Sequence, residues 1–215
     1  MKPKALAKLA ALEKVNKQLL PHLTDDKISY SGPPLVPVVS SLTKGNTFDL
    51  ENGALADLFA AKDATRTRER YLNYYSPWVE AAALARTETL PPAWTKAKFV
   101  EGRLEPLVNV EYVFVLRIER TDPSVDALSH TFDPGQITGE AHLFSVDDGK
   151  YYGGLRFSAA KNSTVEYSYK KGADESEKQA RAVEMARSSL EAYAREGFSH
   201  GVRKHVAGAA ADWRY

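Results

Sequence analysis

The chain has no cysteine, which excludes disulfide frameworks, cysteine-ligated zinc, iron–sulfur clusters and thiol catalysis. It also lacks any apolar run near the roughly 20 residues that a membrane-spanning helix needs. Its most apolar stretch, Val108 to Ile118, is interrupted by Asn109, Glu111 and Arg117. Charge of one sign is missing too: 29 Lys and Arg balance 28 Asp and Glu, so nucleic acid is not an expected partner. There is no GxGxxG after a strand, no GxxxxGK[ST], no HExxH, no GxSxG and no EF-hand loop. No enzyme class is therefore marked, and no cofactor or metal is expected. The basic N-terminus is not a signal peptide, because lysines and Glu13 break what should be a continuous apolar segment. The absence of cysteine leans towards a bacterial periplasmic or extracellular protein whose export signal has been removed, with the cytoplasm as the alternative.

What is present describes an ordinary folded chain: 215 residues, 43% hydrophobic and 27% charged, enough for one good core. Leu6, Leu9, Leu12, Val15 and Leu19 recur at helical spacing and predict an amphipathic helix ended by Pro21. That helix either docks its leucines on the core or reaches a partner, and docking is preferred. Residues 31–47, with Pro33, Pro34 and Pro37, read as an extended linker or edge segment and divide residues 1–47 from an α+β domain at 48–215. Helical patterning follows from about Leu50 to Thr87, with Ser76-Pro77 as a helix start.

From Lys96 the period changes to two. Lys96–Glu105, with Gly102 as a bulge, is expected to pair with a central strand at 108–118. Asp148-Gly149 predicts a two-residue hairpin loop. Its register sets Asp147 opposite Lys150, Val146 opposite Tyr151, Phe144 opposite Gly153, His142 opposite Leu155 and Glu140 opposite Phe157. Gly153-Gly154 reads as close packing, not phosphate binding. A further strand is expected at Thr164–Tyr169. The C-terminal segment, 174–206, predicts a long helix with a stripe of Val183, Ala186, Leu190, Tyr193, Phe198 and Val202, breaking near Gly197 and Gly201.

Three groups of residues carry candidate chemistry. Glu140 and His142 share one strand face, where a carboxylate–imidazole pair in apolar surroundings serves either as an acid/base dyad or as a satisfied structural pair. Tyr71, Tyr74, Tyr75 and Trp78 form an aromatic stripe behind Arg66, Arg68 and Arg70, suited to stacking on a ligand or to packing on the sheet. The loop 121–136 contains Asp126, His130 and Asp133, residue types for a binding loop or a solvated hairpin. His200 and His205 are about 140° apart on a helix and do not make a metal pair.

The expected fold is two-layer α+β: an antiparallel sheet of four to five strands, with long helices at 50–88 and 174–206 on one face. The expected function is a binding or scaffold protein with a protein or small-molecule partner. The alternative is a small acid/base enzyme of hydrolase or lyase type using Glu140 and His142.

Overall fold

In the computed structural model, residues 1–38, 45–56, 76–86, 97–125, 132–160 and 172–209 are described. They form helices α1 (Lys2–Asn16), α2 (Ser76–Arg86), α3 (Ala97–Val108) and α4 (Glu175–His205). The strands are β1 (Lys27–Ile28), β2 (Thr47–Glu51), β3 (Tyr112–Thr121), β4 (Ser124–Val125), β5 (Phe132–Asp133), β6 (Gln136–Ser145) and β7 (Tyr151–Ala160). Five of them make one sheet in the order β1-β7-β6-β3-β2, and β4 pairs with β5 alone. No described helix is long and apolar enough to cross a membrane.

The α+β class holds, but the sheet is mixed: β2 runs parallel to β3 while the other pairs are antiparallel. A parallel neighbour needs a long crossover, and here α2 and α3 lie between β2 and β3 in the chain. Leu50, expected in a helix, is therefore a strand residue. Of Lys96–Glu105, expected as a strand, the described residues 97–105 instead make up most of α3. Val100, Leu104, Leu107 and Val108 follow a helical period, and Leu104 and Leu107 are fully buried. Pro106 sits in the last turn, where it leaves the Gly102 carbonyl without its helical donor, and the helix ends two residues later.

Helices cover both faces, so the architecture has three layers where two were expected. Strand alternation puts Val113, Val115, Phe144, Phe48 and Leu50 on one face, in a core shared with α1, α2 and α3. Phe114, Leu116, Ala141, Leu143, Leu155 and Phe157 face the other way, onto Leu190, Ala194, Phe198 and Val202 of α4. Helix α1 buries Ala5, Leu9, Leu12 and Val15 on the core, as the docking reading expects. It ends at Asn16, short of Pro21, and leaves Leu19 97% exposed.

Helix α4 begins with a capping box between Asp174 and Glu177 and carries basic residues in its last turn, both favourable to the backbone dipole. It does not break at its glycines. A Cβ on Gly201 would stand 3.0 Å from Leu155 Cδ1, and one on Gly197 would stand 3.3 Å from the Ser158 carbonyl oxygen. The glycines let the helix lie close on β7, and packing there offsets their cost in propensity. The buried stripe runs through Ala182 and Ala194, while Tyr193 points outward.

The hairpin joins the expected segments in a different register. Ser145 N–H donates to Lys150 O at 2.9 Å, so four residues make the loop. The cause is Val146. Its side chain is buried in the α1-side core, and its N–H donates to Glu111 O at 2.8 Å instead of serving the hairpin. Asp147 consequently pairs with Lys8 at 2.6 Å, not with Lys150. Phe144 faces Tyr151, and after an irregularity at Leu143/Phe144 the pairs become Leu143–Gly153, His142–Gly154 and Glu140–Arg156. Leu155 and Phe157 thus point away from His142, to the α4 side. The expected covering of a glycine by an aromatic occurs elsewhere, where the Phe157 ring lies over its partner Gly139.

Candidate functional site

The site grows from two cross-strand rows on the α1-side face of the sheet. Arg117, Glu140 and Arg156 are neighbours across β3, β6 and β7, and Glu119, Thr138 and Ser158 form the next row outward. One row inward, Val115, His142 and Gly154 are covered by the connector after α1, whose Leu23 packs on Gly154. The face therefore passes from apolar to charged to hydroxyl-bearing within four residues of each strand. Where the connector ends, a cleft of about 470 Å³ opens over the two polar rows, with His22 and Asp26 at its rim.

Arg117 is the organiser. Its Nη1 donates to Glu140 Oε2 at 2.7 Å, to His22 Nδ1 at 3.0 Å and to Pro21 O at 3.3 Å, and its Nη2 donates to Leu20 O. The other carboxylate oxygen of Glu140 accepts from Leu23 N–H at 2.9 Å. Burial alone would push the Glu140 carboxyl up. The Leu23 N–H, the Arg117 guanidinium and His142 together outweigh it and hold the group below the usual carboxylate range.

His142 is 0% exposed, and its Nε2 stands 3.6 Å from Glu140 Oε2, an electrostatic contact too long for a hydrogen bond. On its other side Nδ1 lies 3.2 Å from the Tyr151 hydroxyl. Burial lowers the His142 pKa against the opposing pull of Glu140, so the ring is neutral at pH 7. A carboxylate only accepts, so the nitrogen facing Glu140 carries the proton and the Tyr151 hydroxyl donates to the other. Burial, and then Glu140, raises the Tyr151 pKa.

The expected pair of Glu140 and His142 is thus brought together, but on the α1 side and with Arg117, His22 and Tyr151 added. Tyr71, Tyr74, Tyr75, Asp126 and His130 lie outside the described residues, as does the strand expected at 164–169. Trp78 falls on α2, with its side chain outside the described set. Asp133 serves a turn, accepting from Gly135 N–H at 2.8 Å. His205 sits 3.7 Å from Asp26, while His200, five residues earlier on α4, is exposed. Among the described residues no group of His, Asp and Glu is arranged to hold a metal.

Arg156, Glu119, Thr138 and Ser158 were not singled out from the sequence. The signal was the tail of β3, where Arg117 and Glu119 continue an otherwise apolar face; reading it required the hairpin register. Comparison with protein-family models, with curated proteins and with solved structures returns no significant match.

Proposed function

We propose that the protein is a binding protein that takes a small polar molecule in the cleft above Glu119, Thr138 and Ser158. One observation carries this reading: several polar groups on that wall have no hydrogen-bond or ion-pair partner among the described residues. They are the Glu119 carboxylate, the Thr138 and Ser158 hydroxyls and His22 Nε2, with His22 87% exposed at the rim, while Arg156 beside them is ion-paired with Asp26 at 3.6 Å. The neighbouring row is different in kind. Arg117 and Glu140 spend their capacity on each other and on the connector, so they form a fixed wall beside a wall with bonds to offer. A concave site with convergent polar groups on rigid strands is the usual form of a ligand site.

The acid/base alternative draws on the chain Tyr151–His142–Glu140, whose last member reaches the cleft. Against it, Glu140 is held ionised with both oxygens engaged, a poor state for accepting a substrate proton. Amide chemical-shift mapping of the full chain against a set of small polar compounds tests the binding reading. Shifts concentrated at residues 119, 138, 139 and 158 support it, and binding confined to other surfaces, or none, refutes it. A turnover lost on Glu140→Gln at unchanged thermal stability would establish the alternative instead.

A further inference from the structure

We infer that the outward face of α1 docks on an anionic lipid surface, an interaction separate from the cleft. Charge is divided unevenly along the chain. Residues 1–20 hold five lysines and one glutamate, a net of +4, while the whole chain has a net of +1, so the remainder carries −3. The excess positive charge is thus gathered on α1 and the start of its connector. Glu13 is matched by Arg86 at 3.2 Å, and Lys8 by Asp147 at 2.6 Å. Lys4, Lys14 and Lys17 are exposed and have no ion-pair or hydrogen-bond partner among the described residues.

The helix also carries apolar residues on both sides. Ala5, Leu9, Leu12 and Val15 are buried against the core. Pro3, Leu6, Ala7 and Ala10 are exposed on the opposite side, and Lys14 and Lys17 continue their row at helical spacing. Just past the helix, Leu19 is 97% exposed, the most exposed large apolar side chain among the described residues, and Leu6 is 43% exposed. Leucines left in water gain nothing from their own fold and are stabilised by entering an apolar medium. Shape favours lipid over an acidic protein. Between the two leucines the face is built of Pro and Ala, shallow and without a large anchor or pocket for a specific partner. A helix lying in the headgroup boundary needs only apolar contact framed by lysines, whose stems reach back towards the phosphates. Because its inner face is already packed, α1 is helical before contact and pays no ordering cost on docking.

The test is flotation of the full chain with vesicles of phosphatidylcholine alone and with vesicles containing about 30% phosphatidylglycerol. The expected result at low salt is partitioning at least about tenfold stronger onto the anionic vesicles, falling as salt screens the lysines. Each lysine at such a surface contributes about fivefold, so Lys14→Gln/Lys17→Gln should weaken partitioning about 25-fold. Leu19→Ser, which leaves every charge in place, should weaken it at least about fivefold. All three side chains are exposed, so the melting temperature should not move. No preference for anionic vesicles, or indifference to either variant, overturns the proposal. Retention on polyglutamate with none on vesicles overturns it as well, and would assign the face to an acidic protein.

Discussion

Arg117 and Glu140 are direct cross-strand partners, and their side chains close the same 2.7 Å ion pair that holds the connector after α1. Arg117 also satisfies the carbonyls of Leu20 and Pro21, so it anchors the connector from beneath. Arg117→Ala leaves Glu140 without its cation and these carbonyls without a donor, and is expected to cost about 2–4 kcal/mol. Arg117→Lys keeps the charge but not the fork, and should recover only part of that loss. Urea denaturation of the three proteins measures the order directly.

The acid limb of the stability curve follows from two groups with the same sign. His142 is held below its ordinary value of 6.5, so the unfolded chain binds the proton first. Stability is complete above about 6.5 and falls as pH drops from there through the folded pKa, by up to about 1.4 kcal/mol per pH unit. Glu140, held below 4.5, adds a second loss starting near that value and continuing downward. His142→Gln should flatten the upper window and narrow the lower, because Glu140 then loses one of the groups that hold it down. Glu140→Gln should remove the lower and extend the upper, because His142 then loses the carboxylate that raises it. Chemical denaturation from pH 8 to pH 3 separates the two.

Gly153 has φ +107°, and a Cβ there would stand 1.9 Å from the Lys27 carbonyl oxygen. Gly153→Ala is therefore expected to combine backbone strain of about 1–3 kcal/mol with displacement of β1. Gly53→Ala, at φ +84° with nothing within 4 Å of a Cβ among the described residues, supplies the strain without the collision. Hydrogen exchange at Ser29, whose N–H donates to Tyr152 O at 2.8 Å, should accelerate in the first variant and not in the second.

The elements most legible in the sequence were those specified locally. Helix α4 is announced by Asp174 and Glu177 at the cap and by its charge order, and Ser76 does open α2. Burial of Leu9, Leu12 and Val15 was legible from their spacing, whereas Leu6, placed on the same stripe, is 43% exposed and Ala5 is buried in its stead. What depended on distant contacts was not. Nothing near Asp148 reveals that Val146 N–H is taken by Glu111, 35 positions back in the chain; that bond lengthens the loop by two residues, and the extra residue at the Leu143/Phe144 irregularity then turns the β7 side chains over. The same shift hid the site, since Glu140 could not be matched with Arg156 while it was paired with Phe157. Thr47–Glu51 likewise becomes a strand through its long-range pairing with β3.

The alignment of β6 with β7 decides which side chains meet in the cleft, and cross-linking reads it most directly because the chain has no native cysteine. Thr138 and Ser158 are partners on one face, so Thr138→Cys/Ser158→Cys should oxidise to a single intramolecular disulfide. Thr138→Cys/Ala159→Cys, the pairing that an Asp148-Gly149 two-residue loop would require, should stay reduced, because Ala159 lies on the opposite face. Efficient cross-linking of the second pair and not the first would contradict the register, and with it the two polar rows from which the cleft is built.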